Sequence, residues 1–427
     1  MKARLKSGPL DMRLLLIEGS ARLRSTLLRR RVLPTLLGAL LASAAAQAPA
    51  MTLDEAMTAA LAANRALAAA RLGREEALAR QDVARQRPNP ELAIEESRDT
   101  PRDSATVSLP IERGRKRERR TAVAAAQARS NEAEVARLVA TIRNQVRRAY
   151  FALAAAERRA HETAEIQSLT ERARDAARAR FESGDVPRLD ALQSELAAAQ
   201  ASSEADKARG LVAGARADLN ALLAQPPATP LTVSTELEAG RVPPADAAIA
   251  LALSASTELA ALDQGLAEQK ARAELARAEA VPDWTAAAGV THHAPPDFDW
   301  GWRGSLTFTL PIFTHRAQAR LEEATLARLQ EEREAARIRV RGEVYAAAAN
   351  AEVQRLALAR YREEILPRAA EVQAMAEDSY RSGQTGLPAL LQSLQSVHDL
   401  RLQAVQAGTD YQNALADLER AIGAPLP

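Results

Sequence analysis

The chain carries its own pattern twice. Arg180-Phe181-Glu182-Ser183-Gly184 followed by Val186-Pro187-Arg188-Leu189 returns as Ser379-Tyr380-Arg381-Ser382-Gly383 followed by Leu387-Pro388-Ala389-Leu390. The surroundings return at a nearly constant spacing: Leu67 with Leu259, Pro110 with Pro311, and Ala217-Asp218-Leu219 with Ala416-Asp417-Leu418. Chance likeness between alanine-rich helices does not hold register over such lengths. A long internal repeat is a structural unit of several elements, so the two copies must fold alike.

Bulk composition narrows the classes. Only 3% of the 427 residues are aromatic although 47% are hydrophobic, and alanine supplies the difference. Small apolar side chains with 26% charged residues suit long helices packed closely on one another. A formal net charge of +2, with Lys and Arg interleaved among Glu and Asp, is too balanced for a nucleic-acid binder. The absence of Cys excludes disulfides, thiolate metal sites, a cysteine nucleophile and the acylated cysteine of a lipoprotein.

The beginning reads as an address. Arg29-Arg30-Arg31 precede an apolar stretch from Val32 to Ala46, and Ala44-Ala45-Ala46 offers a small-x-small cleavage site before Gln47. That stretch is too short for a bilayer span and fits a secretory signal peptide. The residues ahead of Arg29 make a long leader, with Met12 an alternative start. Residues 1–46 are therefore expected to be leader, 47–232 the first repeat and 233–427 the second. Past Gln47 no run of about 18 apolar residues is expected, so any membrane contact must come from β-strands or from the surface.

Each copy reads as a short helix, a β-hairpin and a long helical hairpin. Thr52-Leu53-Asp54-Glu55 caps a helix expected over Ala56–Arg85, closed by Pro88-Asn89-Pro90. Its counterpart runs from Asp246 to Ala280. Leu92 and Ile94, then Val107 and Leu109, alternate with smaller or polar residues around the turn cluster Asp99 to Asp103, which predicts a hairpin over about 91–110. In the second copy the hairpin falls over about 284–311. There Trp300, Trp302, Leu306, Phe308 and Leu310 share one face, and Arg303, Ser305, Thr307 and Thr309 the other. Long helical runs follow, about 114–182 and 316–381, and the first shows a lengthwise seam at Val135, Leu138, Ile142, Val146, Ala149 and Leu153. Pro367 should bend the second run. Gly184 and Gly383 end the runs, and Leu189-Leu192-Leu196-Ala199 and Leu387-Leu390-Leu394-Val397 open return helices at matching spacing.

Four strands cannot close a membrane barrel in one chain, and lipid does not satisfy open edges, so several protomers would share one barrel. The competing reading of the strands is a soluble sheet edge packed on helices. The tandem order, the Arg-Phe-x-x-Gly and Tyr-x-x-Gly tips, and Leu-Pro-Ile before each long helix resemble the TolC family of outer-membrane efflux proteins. The resemblance runs from about Thr52 to Gly423. Arg87-Pro88-Asn89-Pro90-Glu91-Leu92 and the lack of large insertions are most similar to its heavy-metal branch, the CzcC- and CusC-like proteins.

That resemblance implies a mainly α fold, with a small β part: an α-barrel tunnel of helical hairpins below a trimeric, twelve-stranded outer-membrane barrel. It implies a homotrimer, an adaptor (membrane fusion protein) in the periplasm, an inner-membrane RND-type pump, outer-membrane lipid around the strands, and no cofactor. Gly184, Asp185, Val186, Pro187, Gly383, Gln384, Leu387 and Pro388 become tip and adaptor-contact residues. Asp190, with Arg188 nearby, becomes the aperture candidate, since family members carry acids near the tips; the second copy has Ala389 there. A solvated helix-face acid is the other reading of Asp190. Trp300, Trp302, Leu306, Phe308 and Leu310 become the lipid-facing set.

The remaining chemistry is thin. His292 and His293 are neighbours in a strand and point to opposite faces, which argues against a shared metal site. His161, His315 and His398 form no ligand motif. The basic run Arg113 to Arg120 falls at the helix end of a strand, facing anionic groups or water. Motifs for nucleotide binding, zinc hydrolysis or a nucleophile elbow do not occur, so an enzyme is not expected. The cargo expected is metal cations, with drugs or secreted proteins as alternatives. A periplasmic coiled-coil scaffold or adaptor is the rival of another class, though it leaves the paired strands unexplained.

Overall fold

Thr52 and Glu55 exchange side-chain bonds with each other's backbone N–H and start α1, Leu53–Ala63, with a reciprocal cap. A computed structural model describes residues 50–98, 101–238, 240–293, 299–309 and 315–426. The leader and signal segment lie outside the described residues. The single helix expected over Ala56–Arg85 is two: Asn64 adopts an extended backbone, and its side chain caps α2, Arg65–Arg85, by accepting from Leu67 N at 2.9 Å. The second copy breaks at the matching place. Ser256 separates α5, Ala245–Ala255, from α6, Thr257–Glu279, and accepts from Leu259 N. Each break turns one leucine, Leu67 or Leu259, into the core. Periodicity did not reveal these joints because Asn and Ser are tolerated inside a helix and specify a boundary only when the backbone uses their caps.

Strands β1, Glu91–Glu96, and β2, Asp103–Ile111, follow α2; β3, Asp283–His292, and β4, Trp300–Thr309, follow α6. They form one antiparallel sheet in the order β1-β2-β3-β4. The hairpin of one copy is thus hydrogen-bonded to that of the other through β2 and β3, from Asp103 opposite His292 to Ile111 opposite Trp284.

From β2 the chain enters α3, Lys116–Glu182, 67 residues long and on the order of 100 Å. The turn into it uses two left-handed residues, Gly114 at φ 70° and Arg115 at φ 60°. A Cβ on Gly114 would stand 2.8 Å from Val281 Cβ, so both space and backbone require glycine there. After the tip comes α4, Arg188–Leu222. In the second copy the run is α7, His315–Arg360, a π-helical turn at Tyr361–Ile365, and α8, Leu366–Arg381, before α9, Leu387–Ile422. The π turn stands just ahead of Pro367. Proline cannot donate to the carbonyl four residues back and crowds it, and the widened turn accommodates both defects.

The described residues form one compact unit. One core joins Ala56, Ala60 and Leu67 to Ile142, Val146, Tyr150 and Leu153 of α3 and Leu219 of α4. The other joins Ala248, Ala252 and Leu259 to Val340, Val344 and Ala351 of α7 and to Leu415, Leu418 and Ile422 of α9. Between them Arg147, on α3, reaches Glu419 at 2.6 Å and Gln412 at 3.2 Å on α9. Among the described residues one stretch, Ala245–Glu279, is long and apolar enough by composition to cross a membrane, contrary to the expectation that none follows Gln47. Its many alanines raise its apolarity, but it is jointed at Ser256 and both halves pack on α7.

Candidate functional site

The strand register sorts the sheet into two faces. Residues directly opposite across antiparallel strands share a face. One face has rows Leu92-Val107-Ala288-Gly304, Ile94-Ala105-Val290-Trp302 and Leu109-Ala286-Leu306, ending at Ile111-Trp284-Phe308. The other carries Ser108 with Ser305, Thr106 with Arg303, and Ser104 with Thr291. An apolar and a polar face thus run the width of all four strands.

Among the described residues the apolar face is largely uncovered along β1 and β4. Trp302 is 88% exposed, Ile94 76% and Trp300 68%. Leu306 and Phe308 are each half exposed, and Leu310 lies outside the described residues. Aromatic side chains mark both ends. Trp284 meets Phe308 edge-on at 5.4 Å beside the helices, and Trp300 stacks on His292 at 4.9 Å at the far end. From Trp300 to Phe308 a strand rises about 26 Å. Trp284 and Ile111 were missed as members of this face, although the alternation of Ile111 with Pro110 and Leu109 signals them. Strands β1 and β4 each keep one margin without a strand partner among the described residues.

At the opposite end of α3 the two helical tips are built alike. Gly184 at φ 84° donates to Phe181 O, and Asp185 N donates to Arg180 O; Gly383 at φ 75° and Gln384 repeat these bonds to Tyr380 and Ser379. This paired bonding satisfies the last carbonyls of each long helix. The tips are also held together. Arg180 places its guanidinium 4.9 Å from the Tyr380 ring centroid, and Leu387 packs on Ala173 and Ala177. Leu387 is therefore buried and pins the tips together, whereas Gly184, Asp185, Pro187, Gly383, Gln384 and Pro388 are exposed and Val186 half-buried. Asp185 is fixed by Ser183 Oγ at 3.0 Å. Asp190 lies in the first turn of α4, partly exposed, with its N–H on Pro187 O. Neither Asp190 nor Arg188 joins an ion pair among the described residues.

Behind the tips, Arg401 of α9 clamps three helices, reaching Glu165 at 2.9 Å and Glu162 at 3.4 Å on α3 and Gln373 at 2.8 Å on α8. Near it His398 is 1% exposed, and neither ring nitrogen has a hydrogen-bond partner among the described residues; Glu204 of α4 is 3.9 Å away. Burial pushes its pKa below the ordinary histidine value, against the pull of Glu204, Asp399 and Glu162. Among the described residues no group of three or more His, Asp or Glu is placed to hold a metal ion. His292 instead leans on Asp103 at 3.3 Å.

The arrangement has known counterparts. The family model for outer membrane efflux proteins matches residues 56–225 and again 248–424. No curated protein sequence matches the chain significantly. Among solved structures, a membrane protein from Pseudomonas aeruginosa is 21% identical, with TM-score 0.72 over 88% of this chain and 90% of that one. VceC, an outer membrane protein from Vibrio cholerae, is 16% identical, with TM-score 0.72 over 88% and 97%. CusC, solved in a study of transmembrane channel formation, is 15% identical, with TM-score 0.71 over 87% and 92%. With its two copies matched in turn by one family model and its sheet and helices superposing on these folds, the chain belongs to the outer membrane efflux protein family, of the TolC type.

Proposed function

We propose that the protein is one third of a homotrimeric duct in a tripartite efflux system, taking substrate from an inner-membrane RND-type pump through a periplasmic adaptor. The observation that carries this reading is the two-faced sheet with open margins on β1 and β4. Unpaired backbone groups cost several kcal/mol each in hydrocarbon, so the strands must meet those of other copies. Three copies give a twelve-stranded barrel, with Trp300, Trp302, Leu306 and Phe308 toward lipid and the Ser, Thr and Arg303 face toward water. Bare helical faces support assembly too. Leu189, Leu192 and Leu196 on α4, and Ile338, Tyr345 and Val353 on α7, are at least half exposed in the lone chain.

The tips present Gly184, Asp185, Val186, Pro187, Gly383, Gln384 and Pro388 to the adaptor. Asp190 occurs once per chain, so a trimer sets three carboxylates at one level, flanked by Arg188. Such a ring repels anions and concentrates cations, which favours metal cations as cargo over drugs or secreted proteins. The duct performs no covalent step: the pump supplies energy, and the duct a wet path and a gate. Bilayer recordings test this. Asp190→Ala should lower cation selectivity and weaken block by multivalent cations; an unchanged reversal potential and block remove the ring, and a purified protein that stays monomeric and passes no ions removes the duct.

A further inference from the structure

The turn joining the sheet to α3 gathers more positive charge than its own carboxylates consume. A cavity of about 500 Å³ at this junction is lined by Arg87, Arg113, Arg115, Lys116 and Arg117. Glu112 and Glu118 also line it, but Glu112 is engaged by Arg120 and Glu118 by Arg115 at 2.6 Å. Lys116 gives its ammonium to Asp283 at 2.7 Å. The side chains of Arg87, Arg113 and Arg117 meet no carboxylate among the described residues.

Their place on the molecule identifies what they suit. Arg113 lays its guanidinium 4.2 Å from the centroid of Trp284. Trp284 belongs to the last row of the apolar face, between Ile111 and Phe308. The cation therefore stands where the apolar band stops, the depth at which tryptophan rings and lipid phosphates lie in a bilayer. Leu109 and Ile111, 46% and 39% exposed, line the same cavity from the apolar face. A free phosphate needs the cations but not this neighbouring apolar strand; a lipid uses both.

We infer that the Arg113–Arg117 turn, with Arg87, binds the phosphate of an anionic phospholipid in the leaflet next to the helices, its acyl chains lying on Leu109 and Ile111. This rests on the barrel reading above. Guanidinium groups match phosphate oxygens with paired donors, and each basic side chain near an anionic surface contributes about 1 kcal/mol, or roughly fivefold in affinity.

Quenching of Trp284 by brominated lipids tests the site. The Trp300→Phe, Trp302→Phe protein keeps Trp284 as its one tryptophan. In phosphatidylcholine nanodiscs, brominated phosphatidylglycerol should quench it with a preference of at least roughly fivefold, the effect of one engaged arginine, over brominated phosphatidylcholine. Adding Arg87→Gln, Arg113→Gln and Arg117→Gln should bring the two lipids to parity, whereas Lys at the same three positions should keep the preference. Equal quenching in the parent, or an undiminished preference in the Gln variant, overturns the site. Full competition by millimolar inorganic phosphate overturns the lipid as occupant. No quenching by either lipid brings down the barrel reading, and this inference with it.

Discussion

Single residues tie the two copies together or make them sensitive. Tyr150 gives its hydroxyl proton to Met51 O at 2.9 Å and accepts from Ser234 N at 3.1 Å; Tyr411 donates to Gly240 O at 2.9 Å. Each copy thus uses a buried tyrosine to fix a connecting segment onto its core. His398 is the sensitive residue because it is buried. Burial holds its pKa in the folded protein below the ordinary value of about 6.5, which it regains when unfolded. Below that ordinary value the unfolded chain binds a proton the folded one refuses. The contribution of His398 to stability is therefore complete above about pH 6.5 and is lost as pH falls toward its lowered folded pKa. Thermal unfolding at pH 7.5 and 5.5 should show a drop in midpoint that His398→Leu reduces. Equal drops in both proteins assign the acid sensitivity to other groups.

At the scale of elements, one spacing has two fates. Leu387, Leu390, Leu394 and Val397 of α9 are 5% exposed or less, whereas Leu189, Leu192 and Leu196 of α4 are 50–62% exposed. Helix α9 packs on α3, α7 and α8, so its leucines are covered. Helix α4, which packs mainly on α3, buries Ala191, Ser194, Ala198 and Ala201 instead, small side chains that leave its leucines outward. Sequence spacing put both stripes at the start of the return helices, but it does not say which is covered. The exposed stripe should be a subunit contact. At about 1.5–3 kcal/mol for each leucine fully buried, Leu189→Ser, Leu192→Ser and Leu196→Ser together should shift the detergent-extracted protein from trimer to monomer in native mass spectrometry. A trimer of unchanged stability would move the contact elsewhere.

For the whole molecule the decisive feature is the sheet assembled from both copies. Its middle row, Leu92-Val107-Ala288-Gly304, is equidistant from the two aromatic ends. An arginine at the bilayer midplane costs about 2–4 kcal/mol on a lipid-facing strand. Val107→Arg should reduce the yield of protein folded into lipid vesicles by that margin, while Ser305→Arg, on the polar face, should leave it nearly unchanged. Equal losses would contradict the division of the faces. The single compact unit of the described residues has the same origin, since β2 pairs with β3 and Arg147 reaches Glu419 across the copies.

The sequence by itself determined the fold class: duplication, helical seams, tip glycines and strand alternation are local or periodic signals, and each dictates its element wherever the chain runs. It also made legible the apolar residues of β4 and the two tip turns. Tertiary structure alone decided that β2 and β3 join the copies, that α4 bares its leucines while α9 buries them, and that Leu387 pins the tips rather than facing outward. It also decided that Arg113 lies on Trp284 at the margin of the apolar face. These are contacts between residues far apart in the chain, and their partners are selected by packing and charge compensation in three dimensions, which no spacing along one strand or helix encodes.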